Sequence, residues 1–190
     1  MFSEEDGQMK TKSGGFIMYS QSAFAIPQEQ TVQEIEQERD ELFFQLMNMR
    51  ENIKEISRKW QVLGIEPDKH ENWTVIFLKD DGYQCQVMTK SCKEKFDGSW
   101  DFAIQGHYYD RFSLHIDDIK GEPDQGMGSV CMTHLKSYVS EMNISQITGD
   151  IVKRDWDHLD RLIYFYEKHG FSVSIDENDQ KGFIQGTPVE

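Results

Sequence analysis

The sequence predicts an α+β fold, in which a mixed antiparallel and parallel sheet with flanking helices follows one long N-terminal helix. Three patterns indicate this architecture. A helix-capping signature opens a heptad pattern at residue 31, four short β-type segments follow at hairpin spacing, and a β-α-β-α run comes after them. We therefore divide the 190 residues into a tail (1–30), a heptad-patterned helix (31–66) and one α+β domain (72–190).

The tail is rich in Gly, Ser, Gln and charged residues with little periodicity, which predicts a flexible segment. It lacks an apolar stretch behind a basic start, so it is not typical of a signal peptide, and its most apolar run (15–26) is too short to span a bilayer. The three cysteines of the chain are odd in number and lack the spacing of a zinc site or of a disulfide framework. These features predict a cytoplasmic protein without a bound metal.

The helix begins at a capping-box signature, because Thr31 is followed three residues later by Glu34. From there, apolar residues recur at alternating steps of three and four, and Arg39 is the one polar interruption. These apolar positions are Val32, Ile35, Leu42, Leu46, Met49, Ile53, Ile56, Trp60 and Leu63. Gly64 and Pro67 supply the stop signal. Such a seam predicts a coiled coil and a homodimer through residues 31–66, and the alternative is a helix that packs along its own domain.

After the helix the pattern becomes β-like, with turn signals at residues 80–82 and 97–98. The predicted antiparallel strands are 73–78, 83–89, 100–107 and 111–119. The later elements are a helix (128–142), a strand (145–152), a helix (157–169) and two strands (171–175 and 182–185). A helical crossover makes the strands that it joins parallel, and the ligand crevice of such a sheet is expected at the strand ends.

The formal net charge is -14, from 34 acidic and 20 basic residues. This charge repels phosphate backbones and anionic membrane surfaces. It predicts no nucleic-acid partner and no membrane partner, and it favours cationic partners such as amines. Solubility alone is the alternative interpretation of most of the charge.

A loop with two glycines, residues 122–129, joins the last antiparallel strand to the next helix. Gly126 and Gly128 let backbone N–H groups approach an anion where the helix dipole also favours it. A plain turn is the alternative. The absence of a third glycine and of a Gly-Lys-Ser/Thr ending argues against dinucleotide-binding and P-loop motifs.

The second motif closes the following helix, where residues 166–171 read Tyr-Glu-Lys-His-Gly-Phe. Leu159, Leu162, Ile163 and Tyr166 fall on one face of this helix. The two motifs, in this order and with a strand between them, resemble the core of the GCN5-related N-acetyltransferases. The resemblance covers residues 73–185, and the closing motif is the more specific of the two.

The resemblance implies a binding site for acetyl-coenzyme A. Backbone amides of residues 126–129 would hold the pyrophosphate, and the backbone of the preceding strand would pair with the pantetheine arm. The implied coenzyme A contacts are Ile119, Lys120, Gln125, Gly126, Met127, Gly128, Ser129 and Tyr166.

Two catalytic roles are also implied by the resemblance. Tyr166 would be the general acid that protonates the leaving thiolate, and Asp117 would be the general base, with His115 and Glu122 as alternatives. Strand alternation predicts that only one of Asp117 and Asp118 faces the crevice.

The implied activity is an N-acetyltransferase that moves an acetyl group from acetyl-coenzyme A to a primary amine of a small molecule or peptide. The alternative is a non-catalytic module of the same fold, which acts in ligand sensing or assembly through its coiled-coil helix. The sequence departs from the family at the first position of the phosphate motif, which is Pro123, with Gln125 displaced by two. It also has one long helix where the family usually has two before its antiparallel strands.

Overall fold

A computed structural model describes residues 31–188 and shows one eight-stranded sheet with helices on both faces. The predicted flexible tail, residues 1–30, lies outside the described residues. The elements are α1 (Val32–Ile56), β1 (Gln61–Pro67), β2 (Trp73–Asp80), β3 (Gln84–Ser91), β4 (Phe102–Tyr108), β5 (Ser113–Gly121), α2 (Met127–Glu141), β6 (Gln146–Ile151), a 3-10 helix (Lys153–His158), α3 (Leu159–Lys168), β7 (Ser172–Asp176) and β8 (Lys181–Gly186). The predicted mixed α+β sheet is confirmed.

The strand order is β1-β2-β3-β4-β5-β6-β8-β7. Every neighbouring pair is antiparallel except β5 and β6, which are parallel and joined through α2. The parallel pair therefore marks the position where the meander of the first five strands gives way to the helical crossover.

The two faces of the sheet carry separate cores. One face packs against α2 and α3, and its fully buried members include Ile104, Leu114 and Leu135. The opposite face carries a smaller core of Ile56, Val75, Phe77, Met88, Cys92 and Ala103, over which the C-terminal part of α1 lies. The strand residues of the smaller core belong to β1, β2, β3 and β4, so this core does not cover the same face of β5 and β6.

The helix start is confirmed, since Thr31 and Glu34 form the predicted capping box. The Thr31 backbone N–H donates to Glu34 Oε2 at 2.7 Å, and the Glu34 N–H donates to Thr31 Oγ1 at 3.3 Å. None of the helices within residues 31–188 is long and apolar enough to cross a membrane.

The helix end was predicted wrongly. The helix ends at Ile56, and residues 61–66, which had been assigned to it, belong to β1 (Gln61–Pro67) and pair with β2. The cause is that Val62 packs into the core under α1 while Leu63 packs into the core under α2, an alternation that a strand provides and a helix does not. Trp60 stacks on Phe77 with ring centroids 5.5 Å apart. This residue of the predicted coiled-coil seam therefore packs within its own domain.

Candidate active site

An opening between β5 and β6 is the central feature of the candidate site. The two strands pair from Ser113 with Gln146 to Ile116 with Gly149, and beyond that point they part. Strand β5 continues to Gly121 against β4, whereas β6 continues to Ile151 against β8. Within the described residues, one backbone edge of β5 from 117 to 121 therefore has no strand partner.

A β-bulge lies at the vertex of this opening. Gln105 of β4 pairs with Asp118 and Gly106 pairs with Ile116, so that Asp117 is the extra residue. Gly106 makes the bulge possible, because a Cβ atom at this position would lie 2.5 Å from the His115 carbonyl oxygen.

The bulge brings two acidic side chains to one face of the sheet. Asp117 contacts His107, and Asp118 lies opposite Gln105, which is on the same face as His107 two residues along β4. The prediction that only one of these carboxylates faces the crevice assumed strict alternation, which the extra residue interrupts.

His107 was not among the predicted site residues, yet it contacts the predicted base. Its Nδ1 lies 2.7 Å from Asp117 Oδ1, and the two side chains are 39% and 33% exposed. His115, an alternative base in the sequence, packs beside it with ring centroids 5.2 Å apart and ring planes tilted by 45°. The His115 Nδ1 lies 3.0 Å from Thr148 Oγ1, and its Nε2 lies 3.7 Å from Asp150 Oδ2.

Glu122, the other alternative base, lies away from this group. Five residues of extended chain separate it from Asp117, which corresponds to about 16 Å at 3.3 Å per residue. It lines a cavity of about 360 Å³ at the C-terminal end of β5, together with Gln125 and Thr89. The structure therefore brings Asp117 and His115 together and leaves Glu122 apart.

The N-terminus of α2 presents free backbone donors. Gly126 is its N-cap with φ +82°, and this residue has no side chain to cap the helix. The amides of Ser129 and Val130 donate back to the Gly126 carbonyl. The amides of Met127 and Gly128, in the first turn, have no acceptor within the helix, so they and the helix dipole form a position suited to an anion.

Two basic side chains from the end of α3 reach the same turn. Lys168 Nζ donates to Ser129 Oγ at 3.1 Å, and His169 Nε2 lies 3.2 Å from the same oxygen. The two sequence motifs are thus in contact through Ser129. Packing also favours glycine at position 128, because a Cβ there would lie 3.2 Å from Phe165 and 3.3 Å from Phe102.

Tyr166 is buried on the α2 and α3 side of the sheet, 6% exposed, with its ring against Phe165 and Phe171 at 5.4 and 5.6 Å between centroids. Burial, with the charges of Asp155 and Asp118, raises the pKa of Tyr166 well above the ordinary range of a phenol. The phenol therefore keeps its proton at every pH at which the protein would be assayed. The two carboxylates that act on this phenol belong to β5 and to the 3-10 helix after β6.

The remaining predicted contacts lie along the rim. Ile119 packs partly into the core under α2, and Lys120 is exposed with Nζ 2.8 Å from Asp118 Oδ2. Their hydrogen-bonded neighbours on β4 are Ile104 and Ala103, so the opposite edge of their backbone faces the opening. The Gln125 carbonyl accepts from the Lys69 amide at 3.3 Å, which ties the glycine loop to the turn between β1 and β2.

The parted parallel strands, the uncapped helix that joins them and the tyrosine of the next helix are the features of the GCN5-related N-acetyltransferase fold. Solved structures agree with this assignment. The GNAT domain of S. lividans PAT aligns with a TM-score of 0.52 at 6% identity, over 65% of this chain and 96% of that one. A cAMP-binding acyltransferase from Mycobacterium smegmatis aligns with a TM-score of 0.55 at 7% identity, over 74% of this chain. This chain spans about half of that protein, 51% of its length.

Among curated proteins, the chain is 46% identical over 157 residues to the uncharacterized protein YocC of Bacillus subtilis (strain 168). The match covers 83% of this chain and 94% of that protein, so the chain belongs to the YocC family. No protein-family model matches the chain. The resemblance found in the sequence is confirmed at the level of the fold.

Proposed function

We propose that the protein is an N-acetyltransferase that moves an acetyl group from acetyl-coenzyme A to a primary amine of a small molecule or peptide. The observation that carries the proposal is the opening between β5 and β6, whose connecting helix has an uncapped N-terminus, together with a buried, protonated tyrosine on the same side of the sheet as that helix. Such an arrangement would bind the three successive groups of acetyl-coenzyme A, which are its pyrophosphate, its extended pantetheine arm with two amides, and its thioester.

In the proposed complex, the pyrophosphate accepts hydrogen bonds from the backbone amides of Gly126, Met127 and Gly128, and Ser129 contributes its hydroxyl, because its own amide already donates to the Gly126 carbonyl. The neighbouring Lys168 ammonium group adds positive charge at the same place. The free backbone edge at Ile119 and Lys120 pairs with the amides of the pantetheine arm. Gln125 lies beside the phosphates and closes the loop.

In the proposed reaction the amine nitrogen attacks the thioester carbonyl carbon and forms the C–N bond. A base at the vertex, for which Asp117 is the choice from the sequence, takes a proton from that nitrogen. The C–S bond then breaks, and the leaving thiolate takes the proton of the Tyr166 hydroxyl. The amine would approach from the face that carries His107, which the smaller core leaves uncovered.

Cofactor binding is tested by thermal unfolding with acetyl-coenzyme A. At a concentration 100 times its Kd, the ligand stabilises the protein by about 2.7 kcal/mol, which is a rise in Tm of about 5 to 11 °C for a chain of this size. An unchanged Tm at millimolar acetyl-coenzyme A would contradict the proposal.

The matched variants are Ser129→Glu and Ser129→Gln. A carboxylate in the first turn of α2 stabilises the helix and repels pyrophosphate, so Ser129→Glu should keep the Tm of the unliganded protein and lose the ligand-induced rise. Ser129→Gln should keep most of that rise. Gly128 is unsuited to this test, because a side chain there would collide with Phe165 and Phe102.

Activity is then measured as release of free thiol with a panel of diamines, amino sugars and peptides. Binding of acetyl-coenzyme A without acetylation of any amine would favour the non-catalytic alternative, a ligand-sensing or assembly module.

A homodimer through α1 is the second part of the proposal. The first four turns of α1 are exposed, with Val32 at 72%, Ile35 at 50% and Leu46 at 58%. A helix end that exposes apolar side chains to water has only marginal stability unless another surface covers it. Leu42, Leu46, Met49, Ile65 and Trp73 line an apolar groove of about 430 Å³ beside it, which a second copy of the same stripe would fill.

Light scattering tests the dimer with Leu42→Glu plus Leu46→Glu. These positions are exposed, whereas Ile53 packs into the smaller core and is unsuitable. We expect a monomer for this variant and a dimer for the control Gln33→Glu plus Gln37→Glu, which adds the same charge off the stripe. A monomeric unmodified protein at micromolar concentration would contradict the proposal.

A further inference from the structure

His107 is held by a carboxylate in the way that a catalytic imidazole is held. The bulge turns Asp117 onto β4, and its carboxylate oxygen lies 2.7 Å from His107 Nδ1. Because a carboxylate only accepts, the proton of this hydrogen bond sits on Nδ1, and the lone pair of the ring sits on Nε2. Among residues 31–188, no hydrogen-bond partner contacts that Nε2.

The other groups at the vertex are already engaged. His115 has Thr148 at Nδ1 and Asp150 near Nε2, so neither of its ring nitrogens is free. Asp118 has ammonium and guanidinium partners, Lys120 at 2.8 Å and Arg154 at 3.5 Å. Gln84, the β3 residue opposite His107, is uncharged.

We infer that His107 is the base that removes the proton from the acceptor amine, and that Asp117 acts through it as a positioning residue. The inference rests on the proposed acetyltransferase function and assigns the base within it. The amine nitrogen first bonds to the thioester carbon, which makes its N–H strongly acidic. That proton passes to His107 Nε2, the C–S bond breaks, and the thiolate takes the Tyr166 proton. Asp117 stabilises the imidazolium cation that forms and fixes the tautomer beforehand.

The arrangement separates acid and base across the sheet. Tyr166 belongs to the core on the α2 and α3 face, and His107 lies on the opposite face, with the gap between β5 and β6 between them. A thioester lying in that gap would have its sulfur toward one face and its carbonyl carbon open to the other. Protons are therefore delivered and removed at different sides without competing for one site.

The test compares His107→Gln, Asp117→Asn and the control His134→Gln, with the best amine found in the panel. His134 lies on α2 with Nε2 3.6 Å from Glu66 Oε1, remote from the vertex. We expect His107→Gln to lower kcat by about 10² to 10⁴-fold with the acetyl-coenzyme A melting shift intact. Added imidazole should restore part of the rate. The control should keep the rate of the unmodified protein.

Rescue by imidazole separates the two roles. Added imidazole should restore part of the rate of His107→Gln but leave the rate of Asp117→Asn unchanged, because Asp117→Asn keeps its own imidazole and has lost only the carboxylate that positions it. His107→Gln with the rate of the unmodified protein, beside an inactive Asp117→Asn, would overturn the inference and make Asp117 the base. An absence of acetyl-coenzyme A binding would instead overturn the proposed function, and this inference with it.

Discussion

Replacement of Gly106 by alanine tests whether the bulge is as tightly constrained as the structure indicates. The added Cβ would lie 2.5 Å from the His115 carbonyl oxygen and 3.3 Å from its carbon. Both are backbone atoms of the neighbouring strand, so a side-chain rotation cannot relieve the contact. Strands β4 and β5 must separate locally instead, at the residue pair that positions Asp117 over His107.

The expected cost is that of overpacking a well-packed position, about 1 to 3 kcal/mol. For a chain of this length each kcal/mol lowers Tm by about 2 to 4 °C, so Gly106→Ala should melt about 2 to 12 °C lower. Differential scanning calorimetry measures this directly. Any acetyltransferase activity should fall further than the stability loss explains, since the bulge carries Asp117, which positions the proposed base.

Gly64→Ala is the matched control. Gly64 also lies in a strand, and its Cβ would meet His134 Cε1 at 2.8 Å. That atom belongs to a side chain 20% exposed, which can turn away. The control should therefore cost less than Gly106→Ala. A Gly106→Ala protein that melts within 1 °C of the unmodified protein, or above Gly64→Ala, would refute the steric reasoning.

Two further predictions follow from the buried titratable groups. Tyr166→Phe should fold normally and lower kcat about 10²-fold or more with little change in the KM for acetyl-coenzyme A, and full retained activity would leave Tyr166 a packing role alone. Burial raises the pKa of the Cys92 thiol to about 11 and that of Cys85 to about 12. At pH 8 the thiolate fraction of Cys92 is then roughly 200-fold below that of an ordinary cysteine. Ellman's reagent should therefore react with these thiols only after unfolding, and rapid reaction of the native protein would contradict their burial.

The antiparallel strands were predictable from local signals. Turns at Asp81-Gly82 and Asp97-Gly98 lie between β-rich runs, and strands β2 to β5 fall within two residues of the predicted bounds. The glycine turn and the tyrosine helix were predictable for the same reason, since each motif is contiguous in the chain. Their contact through Ser129 agrees with the order in which the two motifs occur.

The features that were missed depend on pairing between distant segments. Leu63 satisfies a heptad as well as it satisfies a strand, and only the partner strand β2 decides between the two. His107 and Asp117 lie ten residues apart on neighbouring strands, and an uninterrupted register would pair them differently. A bulge depends on how two strands pair, so it cannot be predicted from the residue pattern of either strand alone.

The parted strands also bear on how the unliganded protein avoids aggregation. An unpaired backbone edge normally recruits a strand from another molecule, and here such an edge, residues 117–121, lies in the interior of a sheet. Strand β6 converges on β5 at Ile116, so the gap narrows to nothing at one end. An incoming strand with side chains on both of its faces has no room to extend along a wedge that closes in this way. A thin chain with few side groups does, and the shape of the gap thus protects the edge while leaving it open to a slender ligand.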